Sequence, residues 1–292
     1  MSWIAGIYGK DAKQSKKKIA LMMETAYPRS DSSGNGHPWM ASSVSEDMNG
    51  RVLAQVSSPI PKKPLEYPYL DCQEDLVLEY DGHLYNFQAI ASKLSYNDYA
   101  VEGAIAELLV HLLEEFSGGL EQKMREALIE LDGDYALVAC DADQMVISRN
   151  SLGTKPLYFA EDDRFSAFAS NKKPLWKIGL GNVVPLRAGE LAVFDQEGVS
   201  IKEALPFDKG GTDIKSMARA VDDYQEALYS AVRKRLDEVS HVDKVGVLLS
   251  GGVDSCLIAK LVYDVASGLG GEDIAYTAGS PDSPDVSFAR EF

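Results

Sequence analysis

Two short stretches of this 292-residue chain carry residue types that do chemistry. The first is Ser250-Gly251-Gly252-Val253-Asp254-Ser255. It follows the apolar run KVGVLL (244–249) and precedes the apolar-periodic segment SCLIAKLVYDVASGL (255–269), so it reads as a strand–loop–helix turn. Adjacent glycines let backbone N–H groups turn toward an anion with no Cβ in the way. The N-terminus of the following helix adds partial positive charge suited to phosphate. Ser250 and Ser255 offer hydroxyl donors, and Asp254 is placed to cap the helix or to hold a magnesium ion. There is no lysine at the place it takes in GxxxxGK[ST], and the spacing is not GxGxxG. The second stretch is the start, MSWIAGIYG, where Ser2 directly follows the initiator Met. Methionine is removed before small residues, which makes Ser2 a candidate N-terminal nucleophile with its own α-amino group as base.

The elements that would position these residues fall into two patterns. Up to about residue 205, period-two stretches alternate with helical ones. WIAGIYG (3–9), RVLAQV (51–56) and EDLVLEYDGHLYNF (74–87) read as strands, the last alternating apolar and polar before a DG turn signal. DYALVAC (134–140) and MVISR (145–149) predict a hairpin, and KPLYFA, FSAFAS and ELAVFD extend the series. Helices are expected over 15–26, 100–116 and 121–131. This is an α+β layered pattern with a largely antiparallel sheet. Residues 207–216 are polar and glycine-bearing, as in a linker. Beyond them, a long amphipathic helix (217–239) has Met217, Val221, Tyr224, Leu228, Val232, Leu236 and Val239 on or near one face. A strand (244–249), a helix and a second strand (273–279) follow, which is how a doubly wound α/β domain begins. The expected division is thus 1–206, a linker at 207–216, and 217–292.

Composition narrows the function classes. At 45% hydrophobic and 25% charged, the chain is that of an ordinary globular protein. A net charge of −16 argues against general affinity for nucleic acid or for an anionic membrane. No stretch approaches the roughly 18 apolar residues of a membrane span. Three widely spaced cysteines, Cys72, Cys140 and Cys256, fit neither a disulfide framework nor a zinc site and point to a reducing, cytoplasmic setting.

The loop at 250–255 resembles the SGGxDS loop of the ATP pyrophosphatase (PP-loop) superfamily, also called adenine nucleotide alpha hydrolase-like. That resemblance implies that Ser250, Gly251, Gly252, Val253, Asp254 and Ser255 grip the pyrophosphate of ATP, with magnesium at Asp254. The rest of the chain resembles asparagine synthetase in an ordered series of segments. Met1-Ser2-Trp3-Ile4-Ala5-Gly6-Ile7 is similar to its MCGIAGI start, and Asp81-Gly82-His83-Leu84-Tyr85-Asn86 to its NGE-I-YN segment. Leu131-Asp132-Gly133 and Arg149 through Tyr158 are similar to its LDG and RD--G-KPLYY segments. ASNKKPL (169–175) and VVPLRAGEL (183–191) follow in the same order. The implied fold is an N-terminal-nucleophile (Ntn) αββα sandwich joined to a PP-loop synthetase domain. By the same resemblance, Gly82 would supply an oxyanion amide.

The departures from that family fall on chemistry. Its nucleophilic cysteine is Ser2, a hydroxyl far less ionised than a thiol at neutral pH. Trp3 brings bulk beside it. The oxyanion-hole Asn becomes Asp81, whose carboxylate would repel a developing oxyanion. His83, residues 27–34, 54–58 and 99–102 lose further recognition groups. The expectation is an ATP-dependent, AMP-forming amide ligase with a lapsed glutaminase site, acting on a small, aspartate-like carboxylate. Two alternatives stand beside it: a non-catalytic assembly protein with vestigial sites, and a Ser2-dependent amidohydrolase. The chain runs only 37 residues past Ser255, so the expectation is a split or truncated gene product, a synthetase domain completed by a second chain, or a fragment of a longer protein; a homo-oligomer is the other assembly expected.

Overall fold

Strongly apolar period-two segments that recur within one chain must cover one another, and here they do so as two stacked sheets. In a computed structural model, the described residues are 3–9, 11–26, 41–46, 51–57, 69–70, 76–94, 105–205, 216–238, 244–269, 272–280 and 282–291. They fall into two compact units, Met1–Asp208 and Lys209–Phe292. Ser2 and most of the linker lie outside the described residues, as do Cys72, His37, residues 27–34 and residues 99–102.

The first unit runs β1 (Trp3–Gly9), α1 (Ala12–Ala26), β2 (Ala41–Glu46), β3 (Val52–Ser57), β4 (Tyr69–Leu70), β5 (Val77–Leu84), α2 (Phe87–Lys93), α3 (Ile105–Glu114), α4 (Leu120–Glu130), β6 (Gly133–Cys140), β7 (Met145–Arg149), β8 (Tyr158–Glu161), β9 (Phe165–Ala169), α5 (Lys172–Lys177), β10 (Val184–Pro185), β11 (Glu190–Asp195) and β12 (Gly198–Glu203). One six-stranded sheet has the order β10-β8-β9-β1-β3-β2, and the other β12-β11-β7-β6-β5-β4. Between them lies an apolar layer that includes Ile4, Leu53, Val138, Ile147, Phe168 and Phe194. The outer face of the first sheet packs Trp3, Ala5 and Ile7 with Ile19 and Met22 of α1 and Leu175 of α5. The outer face of the second packs Leu78, Leu137 and Leu191 with Leu109 of α3 and Met124 of α4. This four-layer αββα sandwich is the fold that the sequence predicts.

Two local expectations about β5 give way. Asp81-Gly82 makes no turn; it continues the strand, and the chain turns at Tyr85-Asn86 instead. The polar positions of its alternation, Glu79 and Asp81, are buried, because the face they occupy meets the other sheet rather than solvent.

The second unit runs α6 (Met217–Glu238), β13 (Lys244–Leu248), α7 (Val253–Leu269), β14 (Glu272–Tyr276) and α8 (Pro284–Glu291). β13 and β14 pair in parallel, Lys244 with Glu272 through Leu248 with Tyr276. Val232 and Leu236 of α6, Val247 and Leu249, and Ala259 and Val262 of α7 form one small core. The other sheet face is open: Leu248 is 84% and Tyr276 55% exposed. A continuous apolar run predicts a strand buried on both faces, but within this unit only one is covered. The apolar stripe of α6 is likewise used only at its C-terminal end, while Met217, Val221 and Tyr224 are exposed.

Candidate functional site

The loop between β13 and α7 sits at the carboxyl ends of two parallel strands, where open α/β sheets place ligands. Its side chains brace it from within. Ser250 donates its backbone N–H to Ser255 Oγ at 3.2 Å, and the two hydroxyls are 2.9 Å apart. Ser255 Oγ donates to the Gly252 carbonyl at 2.9 Å, and Ser250 Oγ accepts from Gly252 N–H at 3.4 Å. With Ser250 Oγ–H directed at Ser255 Oγ, each hydroxyl proton is used once. The serines thus hold the loop's shape, and the donors left for an anion are main-chain amides. The first intrahelical bond of α7 is Cys256 N–H to Gly252 C=O. The amides of Val253, Asp254 and Ser255 therefore precede the helical ladder, at the positive end of the helix dipole.

The two glycines of the loop have different jobs. Gly251 has φ +85°, and a Cβ there would stand 2.1 Å from the Asp285 carbonyl oxygen in the first turn of α8. Only glycine fits this position. At Gly252 a Cβ would meet nothing closer than Ser250 Oγ at 3.5 Å, so the mouth of the loop is open. Val253 is 84% exposed and Asp254 is exposed beside it, so the start of α7 lies open to solvent. Thr277 Oγ1, just past β14, donates to the Leu249 carbonyl at 2.8 Å and ties the two strand ends together. This donor set suits a phosphate chain, and Asp254 is the exposed carboxylate closest in sequence to the amides. Among the described residues there is no cluster of three or more His, Cys, Asp or Glu for a resident metal.

In the first unit, the start of β1 is clamped by Ser170. Its Oγ accepts the Ile4 N–H at 3.0 Å and its own N–H reaches the Ile4 carbonyl at 2.9 Å. Trp3 points into the α1–α5 layer and not toward the other sheet, so its bulk is absorbed by the outer core. Asp81, 2% exposed, forms an ion pair with Lys155 Nζ at 3.0 Å. Its charge is therefore balanced by an ammonium, which sequence reasoning did not reveal. Gly82, with φ +153°, lies so close to β6 that a Cβ would be 2.0 Å from the Asp134 carbonyl oxygen. Arg149 donates to the Leu186 carbonyl at 2.7 Å and to that of Gly153, and so holds the loop after β7. Burial pulls its guanidinium below its ordinary value, with a smaller opposing contribution from Tyr158. His83 is exposed at the end of β5.

The segments that resemble asparagine synthetase are braces for this end of the sandwich. Asn86 donates to the Glu130 carbonyl at 2.7 Å and accepts from Asp132 N–H at 3.0 Å. Asn150 donates to the Gly133 carbonyl at 3.0 Å and accepts from the Thr154 amide and hydroxyl at 3.1 Å.

Comparison with known proteins agrees with this geometry. Residues 60–177 match the glutamine amidotransferase domain family, and residues 223–292 match the asparagine synthase family. A putative glutamine-hydrolyzing asparagine synthetase of Methanocaldococcus jannaschii is 30% identical over 235 residues, covering 74% of this chain and 40% of its own length. Asparagine synthetase B of Escherichia coli is 27% identical over 238 residues, 77% of this chain and 41% of the relative. The chain thus spans about two-fifths of the length of these relatives. Among solved structures, an allosteric regulatory enzyme of purine biosynthesis aligns with a TM-score of 0.59 at 15% identity, over 99% of this chain and 69% of the other. The glutamine phosphoribosylpyrophosphate amidotransferase of B. subtilis aligns at 0.56 and 15%, over 94% and 65%. The first unit is therefore an Ntn-type sandwich of the class II glutamine amidotransferase kind. With the asparagine synthase match that follows it, the chain is asparagine synthetase-like.

Proposed function

We propose that the 250–255 loop holds the pyrophosphate end of ATP in an AMP-forming amide ligation. The open set of amides at the start of α7 carries this reading. In that reaction a carboxylate oxygen, from an aspartate-like acid, attacks the α-phosphorus and pyrophosphate leaves. An amine nitrogen then displaces AMP from the acyl carbon. Val253, Asp254 and Ser255 amides would take the departing charge. Magnesium, held beside Asp254, would neutralise phosphate oxygens. The glutaminase reading is weaker: at the position of the family's oxyanion-hole Asn stands a carboxylate already paired with Lys155. A nitrogen source other than glutamine fits this arrangement. The open face of the second unit favours a division of labour in which a further chain or a second copy contributes the remaining substrate contacts.

Calorimetric titration with Mg-ATP tests the loop, since saturable binding is expected and Gly252→Asp should remove it by placing a carboxylate among the amides. Equal affinity in the variant would overturn the assignment. ATP–pyrophosphate exchange with aspartate tests the ligase class. Retention of Met1 by intact mass would end the Ser2 amidohydrolase alternative.

A further inference from the structure

Glu79 lies at the middle of β5 and is 0% exposed. Among the described residues, neither of its carboxyl oxygens has a hydrogen-bond partner. It pairs in register with Val138, and it points from β5 into the layer shared by the two sheets, since Leu78 and Tyr80 take the helix side. An ionised carboxylate in such a place costs several kcal/mol unless it is paired. We propose that Glu79 is a proton-operated latch: the sandwich closes around the neutral acid, and loss of that proton loosens the interlayer beneath the Asp81–Lys155 pair.

The charged and titratable groups on the elements that face this layer are committed elsewhere. On β5 itself, Asp81 is bridged to Lys155. From β7, Arg149 binds the carbonyls of Leu186 and Gly153. Ahead of β3, Arg51 binds those of Asp141 and Ala142. On β1, Tyr8 donates to the Asp143 carbonyl at 3.0 Å. On β6, Asp134 accepts from Tyr85, and Cys140 is the remaining titratable group on that face. On β8, Glu161 accepts from the Val199 amide at 3.0 Å. None of these contacts reaches Glu79. Burial alone pushes its carboxyl well above the usual range. The sign follows from linkage. A carboxyl raised in the folded state gives full stability below its unfolded value, near pH 4.3, and loses it as pH rises toward the folded value.

The test uses the full chain. All tryptophans, Trp3, Trp39 and Trp176, belong to the first unit, so their fluorescence reports its unfolding in urea. As pH rises above about 4.3 the wild-type unfolding constant should rise by up to about tenfold per pH unit until the folded-state carboxyl ionises. Glu79→Gln should flatten that slope and raise the urea midpoint at pH 8. Parallel slopes for wild type and variant would overturn the proposal. An infrared measurement on wild type alone guards against a variant that fails to fold. A protonated-acid carbonyl band should persist at neutral pH, where surface carboxyls are ionised, and its absence would equally overturn the latch.

Discussion

The two units bury their sheets to different extents, and the difference separates two kinds of polar chemistry. In the first, both sheets are covered on both faces, so a carboxyl group that enters must either find a partner inside, as Asp81 does in Lys155, or keep its proton, as proposed for Glu79. In the second, a parallel strand pair is covered on one face only, and the loop at its end is exposed. A closed layer constrains charge, whereas an open strand end presents donors. The first unit thus keeps its charged groups inside a closed sandwich and the second leaves a strand end exposed, and relatives of the chain are named for glutamine hydrolysis as well as for asparagine synthesis.

Substitutions can break or sharpen this contrast. Phe168→Ala removes a fully buried ring from between the sheets and should cost about 3–5 kcal/mol in urea unfolding. A much smaller loss would mean that the interlayer is not close-packed. Gly251→Ala forces a Cβ against α8 at positive φ and should cost about 2–3 kcal/mol. Its effect should appear as faster hydrogen exchange in α7 and α8, with the first unit untouched. Gly252→Ala in the same loop should stay within about 0.5 kcal/mol. Lys155→Met strands the Asp81 carboxylate, and about 2 kcal/mol should be lost at pH 8, less than for a fully buried pair because Lys155 is partly solvated. The smallest effect belongs to Leu248→Ser, which should leave stability within about 0.5 kcal/mol because the side chain is 84% exposed. A large loss there would show that the face is covered in solution.

Much of this arrangement was legible in the residues. The strand–loop–helix around Ser250 follows from an apolar run, paired glycines and a resumed helical period, and β13, the loop and α7 appear where that pattern places them. The hairpin of β6 and β7 is equally direct. Glu79 was not legible, because alternation assigns one face to solvent and says nothing of a second sheet stacked on that face. The DG pair misled for a related reason: Gly82 serves close approach to β6 and not a turn. The Asp81–Lys155 pair links residues 74 positions apart, a tertiary contact that no local pattern encodes. Leu248 failed in the opposite sense, since an apolar run signals capacity for burial and not the presence of a cover.

The Asp285 carbonyl oxygen occupies the space that a Cβ on Gly251 would need, so the glycine turn and the first turn of α8 are packed together. A ligand that shifted the glycine turn would therefore meet α8 as its neighbour, and the helix is the place to look for such a shift. Phe288, 62% exposed on that helix, is a site where a spin label would sense such a change without touching the phosphates.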